Sequence, residues 1–515
     1  MRRPHLRGGV RLYGRARPVA RWRGSACRSR GARDRSARAV THYDPNARPR
    51  VIVTTDPELD DLNSMLRLVL YSNEIDIAAL VYSSSQFHHA GSADLGIAPH
   101  RWPAPGDRMH IDIAVDAYEK AYANLVRHDA RYPDPQDLRA LVRVGNVVDV
   151  GDVSAPTPGS DLVRDVLLGD APGKVFAEAW GGTNTIARAL MSIEEEFAGT
   201  DRWREIYELI TRRTVITAFA EQDPTFAEYI RPHWPELEFR DVATVAWGYF
   251  AFAVVSDEDR EYLSPDWMRE NITGVGPIGA EYRVWGDGKQ MAASFDEEDY
   301  FGIADATEGE LARLGYRVWC PVQPAGSWLS EGDTSTFAMH IDNGLRNWRD
   351  PSFGGWGGRQ VRDDADPYRW RSVGDWGLQT EGPVVDRGEA AQWFGAYQRD
   401  LAARLRWSVT DTFEGANHAP RVIPRGGLAL AASPGESLAL AFDVEDPDGD
   451  AVEVRAWIDA GPSTATAEVS ASPDGVRVRV SPDALAADVI HVLVEAQDDG
   501  APRLSGYARY VLTVG

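Results

Sequence analysis

Residues 50–61, RVIVTTDPELDD, contain the clearest fold signal of the chain. Val51 to Thr55 form a short apolar, β-branched run, which is typical of a strand that is buried on both faces. Pro57 ends that strand, because proline cannot donate to a strand ladder and fits the first turn of a helix. From Leu59 onward apolar residues recur at helical spacing, so the stretch predicts a strand that leads directly into a helix.

Three carboxylates gather between this strand and this helix, namely those of Asp56, Asp60 and Asp61. In open α/β sheets ligands bind at the carboxyl edge of the strands, and hard oxygen donors crowded there suit Ca²⁺. The alternative is that Asp60 and Asp61 only complement the positive end of the helix dipole. The spacing alone supports both interpretations equally.

The chain beyond this stretch alternates between strand-like and helix-like runs up to about residue 240. Val175 to Trp180 and Val215 to Ala220 are two further apolar strands, each followed by a helical pattern. Repeated βα alternation predicts a mainly parallel sheet with helices on both faces. From Asn417 the composition changes to short apolar runs separated by Gly, Pro and Asp, which predicts an all-β sandwich at the carboxyl terminus.

Several motifs link the chain to a known family. Asp-Pro-x-x-Asp-Asp directly after a first strand resembles the signature of the nucleoside hydrolases. Residues 179–187, AWGGTNTIA, are similar to the segment that supplies a backbone carbonyl to the metal in that fold. Residues 331–337, 342–345 and 354–359 resemble one branch of it, the nucleoside-hydrolase-like family named after a bacterial cellulose-binding protein.

That family also carries an immunoglobulin-like domain behind the motif Ala-Asn-His-x-Pro, which here occupies residues 416–420. The resemblance therefore implies a nucleoside-hydrolase-like α/β domain over residues 50–415 and an immunoglobulin-like β-sandwich over residues 416–515. An Arg-rich leader, residues 1–49, precedes them.

The resemblance further implies a calcium site and a reaction. Nucleoside hydrolases break a ribosyl C–N bond through an oxocarbenium-like state, using a water molecule that the cation activates. By this likeness, the Ca²⁺ ligands are Asp56, Asp61, Asp333 and the backbone carbonyl of Trp180. Asp56 is also the general base, since the cation lowers the pKa of the water towards that of a nearby acceptor. Asp60 holds a sugar hydroxyl.

Four further side chains are candidates for substrate contacts. Gln222 and Asp223 follow a strand and are similar to a pair in the family, so they are candidates for binding sugar hydroxyls. Asn184 begins a helix after a glycine pair, where its amide faces the same cavity or simply caps the helix. His88 lies in a long polar loop, residues 83–106, and is a sugar contact, a general acid or only a loop-packing residue.

The chain departs from the nucleoside-hydrolase pattern at three positions. Thr54 stands where those enzymes have another Asp, and Glu58 replaces a Gly in the turn, which narrows or charges the pocket. Gly332 stands where several of them carry a His that protonates the leaving base. Asp333 also fits a helix cap, because Thr-Ser-Thr and an apolar run follow it. The residues of the metal site are therefore retained in this sequence, whereas those that would bind the leaving base are not.

Charge separates the leader from the rest of the chain. The 515 residues carry a formal net charge of −23, while the first 50 hold 15 Arg against Asp34 and Asp44, or +13, which leaves −36 for the remainder. Such an acidic body lacks the basic face of a nucleic-acid binder. The leader shows no hydrophobic periodicity and is expected to be disordered. No apolar run reaches membrane-spanning length, so a membrane partner is not expected.

The leader contains no clear export signal. Arg2-Arg3 suggests a twin-arginine signal, but no apolar core follows it. Cys27 and Cys320 are the only cysteines, and Cys27 lies in the leader, so a structural disulfide is not expected. A secreted or periplasmic location and a cytoplasmic one both stay open, as does the oligomeric state.

Two features of the sequence have competing interpretations. The chain has 17 Trp, whose rings would stack on sugars where they are exposed, or pack in the core as most Trp do.

Asp446 to Asp450 read DPDGD between two strands of the sandwich. This segment either binds Ca²⁺ or forms an Asp-Gly turn, and the turn is favoured because no Glu follows at EF-hand spacing.

Two functions follow from the sequence. The first is a Ca²⁺-dependent hydrolase of N- or O-glycosidic bonds, acting on a nucleoside-like or plant-polysaccharide-derived substrate. The second is a noncatalytic carbohydrate-binding protein, with cellulose as a ligand, which keeps the metal for structure or sugar recognition.

Overall fold

The structure is a computed structural model that describes residues 20–23, 48–242, 244–291, 295–373, 389–472 and 475–515. Its strands are β1 Ala20–Arg23, β2 Arg50–Thr55, β3 Asp76–Tyr82, β4 Val142–Val144, β5 Val175–Ala179, β6 Thr214–Ala218, β7 Glu238–Asp241, β8 Gln360–Arg362, β9 Arg369–Ser372, β10 Arg421–Pro424, β11 Ala429–Ala432, β12 Ser437–Glu445, β13 Glu453–Asp459, β14 Ala467–Ser472, β15 Gly475–Val480, β16 Val489–Gln497 and β17 Ser505–Val514.

The α-helices are α1 Leu59–Leu70, α2 His110–His128, α3 Pro135–Ala140, α4 Pro158–Leu168, α5 Asn184–Phe197, α6 Trp203–Arg213, α7 Arg231–His233, α8 Ala251–Val254, α9 Pro265–Met268, α10 Gly276–Gly279, α11 Glu308–Arg313, α12 Thr334–Ala338 and α13 Phe394–Trp407. Short π-helical turns cover Phe226–Ile230 and Arg269–Thr273. Single 3-10 turns cover Val245–Trp247, Arg260–Leu263, Pro351–Phe353, Ala391–Trp393 and Phe413–Gly415.

Eight strands form the main sheet in the order β4-β3-β2-β5-β6-β7-β9-β8. Their pairings are parallel except that β8 runs antiparallel to β9. The strand order changes direction between β2 and β5, since the chain goes outward through β3 and β4 before it returns to β5. The carboxyl ends of β2 and β5 therefore meet at a topological switch point, where ligands bind in such sheets.

The central strand β2 is buried because side chains on both of its faces are apolar. Val51 and Val53 pack into the core formed with α1, α2 and α13, while Ile52 packs into the core formed with α4, α5 and α6. Residues that alternate along a strand point to opposite faces of the sheet. Helices thus cover both faces, and the predicted α/β architecture with a mainly parallel sheet is confirmed.

The carboxyl-terminal strands form two packed sheets, in the orders β1-β13-β16-β17-β11 and β10-β12-β15-β14. The strand pairs are antiparallel except for β11 with β17, and a separate apolar core lies between the sheets. The predicted all-β sandwich is therefore present. Strand β1 comes from the leader and pairs with β13, which departs from the disorder expected there. The other leader residues, 1–19 and 24–47, lie outside the described part of the chain.

Contacts between the sandwich and the α/β domain involve buried polar groups. Arg509 of β17 is fully buried and donates to the carbonyls of Leu345 and Gly354, while the Tyr507 N–H donates to the Asn343 carbonyl at 2.9 Å. Among the described residues, no helix is both long and apolar enough to span a membrane.

Candidate active site

The predicted acidic residues lie together at the carboxyl end of β2. Asp56 directly follows the strand, and Asp60 and Asp61 lie in the first turn of α1. Asp333 comes from a distant segment and directly precedes α12. Asp56, Asp60, Asp61 and Asp333 are only 1%, 6%, 1% and 2% exposed. Such burial is rare for Asp unless it is paired or binds a metal.

These four acids strongly perturb one another. Burial, followed by the charges of Asp333, Asp56 and Asp60, raises the pKa of Asp61 well above its ordinary value. Burial and the charges of Asp60 and Asp56 do the same to the pKa of Asp333. Within the described residues no Arg or Lys forms an ion pair with any of the four. The basic side chain beside the cluster is therefore His88, at 3.5 Å from Asp56, and the cluster has no Arg or Lys partner among the described residues.

Asp56 is the least satisfied member of the cluster. Neither of its carboxylate oxygens accepts a hydrogen bond from the described residues, and His88 Nδ1 approaches Oδ2 only to 3.5 Å. Burial alone would raise the pKa of Asp56, but the charge of the neighbouring His88 holds this pKa below its ordinary value. Asp56 is therefore ionised at neutral pH, with both oxygens available to a ligand.

Asp61 is held by Thr55, the last residue of β2. Thr55 Oγ1 donates a short hydrogen bond to Asp61 Oδ1 and also lies 2.9 Å from His110 Nε2. His110 is the first residue of α2 and is buried, and burial lowers its pKa to about 3, so that it is neutral. No signal in the sequence pointed to His110, because its contact with this cluster is made only by the packing of α2.

Asp60 lies against Gly332 and Tyr249. Ser330 Oγ donates to Asp60 Oδ2 at 3.1 Å, and the Tyr249 hydroxyl lies 3.4 Å from Oδ1. Burial raises the pKa of Asp60 to about 6, although the Ser330 hydrogen bond lowers it. A Cβ atom at Gly332 would lie 2.6 Å from Asp60 Oδ2. A side chain at Gly332, where several nucleoside hydrolases carry their leaving-group His, would therefore displace the Asp60 carboxylate.

A buried ion pair brings the Asp333 segment to α1. Arg67 donates to both carboxylate oxygens of Glu331, and both side chains are fully buried. Tyr282 and Thr334 also donate to Glu331. Because Glu331 lies two residues before Asp333, this network fixes the position of Asp333 relative to the first turn of α1.

The backbone at the end of β5 passes directly against Asp56. A Cβ atom at Gly181 would lie 3.0 Å from Asp56 Cγ. The neighbouring carbonyl of Trp180 accepts a hydrogen bond from Gln222 Nε2 at 2.7 Å, which leaves its second lone pair for a ligand. Gln222 Oε1 is buried and has no partner among the described residues. Both Trp180 and Gln222 therefore stay candidates for ligand contacts.

Asn184 and Asp223, two of the predicted substrate contacts, have hydrogen-bond partners within the protein. Asp223 Oδ2 accepts the Asn184 N–H at 2.9 Å, and Oδ1 accepts the N–H and hydroxyl of Thr225, so Asp223 caps the start of α5. The Asn184 side chain bonds to the loops around it, through Ser83, Ser84, Asn146 and Asp152. These contacts occupy much of the hydrogen-bonding capacity of the two side chains, and their predicted sugar contacts stay predictions.

His88 and Glu58 lie beside Asp56 at the most accessible side of the cluster. The long loop after β3 brings His88 Nδ1 to 3.8 Å from Glu58 Oε2, and His88 is itself buried. The Glu58 side chain is 21% exposed. Burial, followed by the charge of Asp60, raises the pKa of Glu58 to about 8. His88 is therefore a site residue by position, and its chemical role stays a prediction.

The tryptophans offer no open sugar-binding platform in the described part of the chain. Of the fifteen Trp side chains described there, eight are buried and seven are half-buried. Two of the half-buried ones, Trp348 and Trp370, are covered by arginines, with Arg349 and Arg362 lying 4.4 and 4.6 Å from the ring centroids. The core-packing interpretation thus describes most of them. The side chains of Trp22 and Trp376 lie outside the described residues.

The second acidic group, Asp446, Asp448 and Asp450, forms a turn. Carboxylate oxygens of the three lie within 4.8 Å of one another. Asp446 Oδ1 accepts the N–H groups of Asp448 and Asp450 at 2.9 Å, and Asp448 accepts hydrogen bonds from His418. These contacts agree with the turn interpretation.

The fold and the site together define a class of protein. It has a nucleoside-hydrolase-like α/β domain, an acidic cluster at the sheet's switch point and a β-sandwich behind it. The carboxylate and carbonyl oxygens of the cluster are the ligands that Ca²⁺ prefers, so these residues fit that ion. The chain belongs to the family described as cellulose-binding Sde182, nucleoside hydrolase-like domain, whose model matches residues 50–360. Residues 439–514 match the carboxyl-terminal domain of cellulose-binding protein Sde0182.

Solved structures support the same fold. A nucleoside hydrolase-related hypothetical protein from Saccharophagus degradans, associated with carbohydrate metabolism, aligns with a TM-score of 0.65 and 22% identity over 91% of this chain and 100% of its own. The effector XOO4466 and the type III effector XopQ, complexed with adenosine diphosphate ribose, align over 71% of this chain and 95% and 96% of theirs, with 12% identity and TM-scores of 0.35 and 0.37. These two likenesses are too weak to support an inference. No curated protein matches the chain.

Proposed function

We propose that this chain is a Ca²⁺-dependent hydrolase of glycosidic bonds. The observation that carries the proposal is the buried acidic cluster around Asp56, which no Arg or Lys of the described residues balances. Burying ionised carboxylates costs several kcal/mol each unless a counter-charge is present. The nearby buried Glu331 has such a counter-charge in Arg67. A bound cation would offset the same cost for the cluster.

In this proposal the ligands are Asp56, Asp61, Asp333 and the carbonyl of Trp180. When bound, Ca²⁺ supplies positive charge that lowers the pKa of a water molecule. Asp56 takes the proton of that water, because it is ionised and accepts no other hydrogen bond from the described residues. Asp60 accepts a hydrogen bond from a sugar hydroxyl and so orients the sugar ring.

The leaving group distinguishes this site from that of a nucleoside hydrolase. Gly332 has no side chain that could donate a proton from that position. His88, beside Asp56 and Glu58, is the proton donor or sugar contact that the geometry offers instead. The substrate is thus a nucleoside-like or plant-polysaccharide-derived glycoside. The association of the Saccharophagus protein with carbohydrate metabolism supports the second of these.

Calcium titration of the full chain by calorimetry tests the proposal. The parent is compared with Asp61→Asn, which removes a ligand charge at nearly constant shape. The double variant Asp446→Asn/Asp450→Asn is the matched control, because it removes two carboxylates from the acidic turn of the sandwich, a second group of acids that could bind Ca²⁺. One site in the parent and control that is lost in Asp61→Asn supports the proposal. A folded parent that binds no Ca²⁺ removes it.

A glycoside screen then tests the hydrolase itself. We expect turnover that disappears with a chelator and falls by at least about 10²-fold in Asp56→Asn, since general-base catalysis contributes about 10²–10⁴-fold. Binding of substrate by Asp56→Asn should persist, because Asp60 and Gln222 remain.

The second candidate is a noncatalytic carbohydrate-binding protein. Two observations favour it, namely the family's description as cellulose-binding and the absence of any side chain at Gly332. Cellulose pull-down with the parent and Asp56→Asn discriminates the two functions. Equal retention of both proteins on cellulose, together with no turnover of any glycoside, would favour binding over catalysis.

A further inference from the structure

His110 is a buried residue that the proposed reaction does not use. It is 1% exposed and its Nε2 lies 2.9 Å from Thr55 Oγ1, whose hydroxyl donates to Asp61 Oδ1. The three side chains form a chain of hydrogen bonds from α2, through the end of β2, to the first turn of α1. Nδ1 of His110 has no partner among the described residues.

The direction of these hydrogen bonds follows from counting protons. As a ligand of a cation, Asp61 is a carboxylate and can only accept. The single hydroxyl proton of Thr55 is then committed to Asp61, so Thr55 Oγ1 can only accept from His110. His110 must therefore carry its proton on Nε2 and leave Nδ1 bare. Burial lowers the pKa of His110 to about 3, which agrees with a neutral ring.

The ring of His110 is held in one orientation by its surroundings. Tyr82, at the end of β3, meets it edge-on, with ring centroids 5.4 Å apart and planes at 79°. The Tyr82 hydroxyl in turn donates to Asp112 Oδ2 at 2.8 Å and accepts the Asp112 N–H at 3.2 Å. The first turn of α2 is thus fixed to β3, and His110 has a defined direction towards Thr55.

We propose that His110 is a positioning residue for the cation site, which acts on Asp61 through the hydroxyl of Thr55. The relay commits Oδ1 of Asp61 to Thr55 and so fixes the rotation of the carboxylate relative to Asp56 and Asp333. Residues that hydrogen-bond to a metal ligand generally orient it in this way, and the loss of such a residue costs about 10–100-fold in metal affinity. The inference rests on the proposed cation site.

Calcium affinity of the full chain, measured by calorimetry, tests the relay through two matched pairs of variants. Thr55→Val keeps the shape of the side chain but removes the hydroxyl, whereas Thr55→Ser keeps the hydroxyl. His110→Phe removes the donor, whereas His110→Gln places an amide N–H near the position of Nε2. We expect the Kd to rise about 10–100-fold in Thr55→Val and His110→Phe and to stay close to the parent value in the other two.

Nitrogen NMR of the imidazole provides a second readout that a purely structural role would not move. In the Ca²⁺-loaded parent, His110 should carry its proton on Nε2, whereas a proton on Nδ1 would overturn the proposal. Equal Kd values for Thr55→Val and Thr55→Ser would overturn it as well. If His110→Phe fails to fold, as judged by circular dichroism, the Thr55 pair decides.

Failure of this inference is distinguishable from failure of the proposed function. If the folded parent does not bind Ca²⁺, both the relay and the proposed function are refuted. If the parent and all four variants bind Ca²⁺ with the same Kd, only the relay is refuted and the proposed cation site stands.

Discussion

Gly332→Ala tests whether the site is closed at the position of the missing leaving-group His. The new Cβ atom would lie 2.6 Å from Asp60 Oδ2, whereas an ordinary contact begins near 3.4 Å, so the two atoms must separate by about 0.8 Å. The same carboxylate oxygen accepts the hydrogen bond from Ser330. Phe219 blocks a second direction, because its Cζ would lie 3.2 Å from the new atom.

The expected magnitude is the difference between two opposing effects. Replacing Gly by Ala at an unstrained position stabilises a protein by about 0.4–1 kcal/mol, since it restricts the unfolded chain. Overpacking a buried site costs about 1–3 kcal/mol. Displacing Asp60 also weakens its hydrogen bond with Ser330, which is worth about 1 kcal/mol. We therefore expect a net loss of roughly 1–3.5 kcal/mol in the free energy of unfolding.

Urea unfolding followed by tryptophan fluorescence measures this loss. Gly309→Ala is the matched control, because Gly309 lies inside α11 and nothing lies within 4 Å of its added Cβ atom. This control should gain about 0.5–1 kcal/mol, as Ala does over Gly in a helix. The reasoning is refuted if Gly332→Ala is as stable as Gly309→Ala, or if a structure of the variant keeps the Ser330–Asp60 hydrogen bond.

Four further predictions concern the contacts of the site. Arg67→Met should lower the free energy of unfolding by about 3–5 kcal/mol, because it leaves Glu331 buried without its partner, and unchanged urea stability would contradict this. Asp223→Ala should cost about 1–2 kcal/mol as a lost cap of α5 and leave the Kd for Ca²⁺ unchanged in calorimetry; unchanged urea stability would contradict the capping role. The Ca²⁺ affinity should fall as the pH drops, because burial and the neighbouring carboxylates raise the pKa values of the ligands Asp61 and Asp333, and the cation must displace the protons that they bind. Because burial raises the folded-state pKa of Asp60 to about 6, the metal-free protein should conversely lose stability as the pH rises from about 4 to about 6, and a flat profile would count against the buried cluster.

The fold was predictable because its signals are local in the chain. Apolar residues on both faces of β2 and the helical spacing after Leu59 required a strand and a helix in sequence, and the carboxyl-terminal strands alternate on their own. The same locality placed Asp56, Asp60 and Asp61 together, since a strand end and the next helical turn are adjacent whatever the rest of the chain does.

Contacts between residues that lie far apart in the sequence could not be predicted in the same way. Nothing in the sequence around His110 marks it as the neighbour of Thr55, because 55 residues separate the two and only the packing of α2 against β3 brings them together. The pair of Arg67 and Glu331 is a similar case, since its members lie 264 residues apart.

Side-chain periodicity and chain continuity were enough to predict the elements of the fold and the meeting of Asp56, Asp60 and Asp61 at the end of β2. Which polar groups have spare hydrogen-bonding capacity depends instead on tertiary packing. Asn184 and Asp223 have the residue types of sugar ligands, yet their atoms are occupied by Ser83, Thr225 and other neighbours, whereas Asp56 accepts no hydrogen bond from the described residues. A side chain's type sets the bonds it can make, but its packed neighbours set how many remain for a ligand.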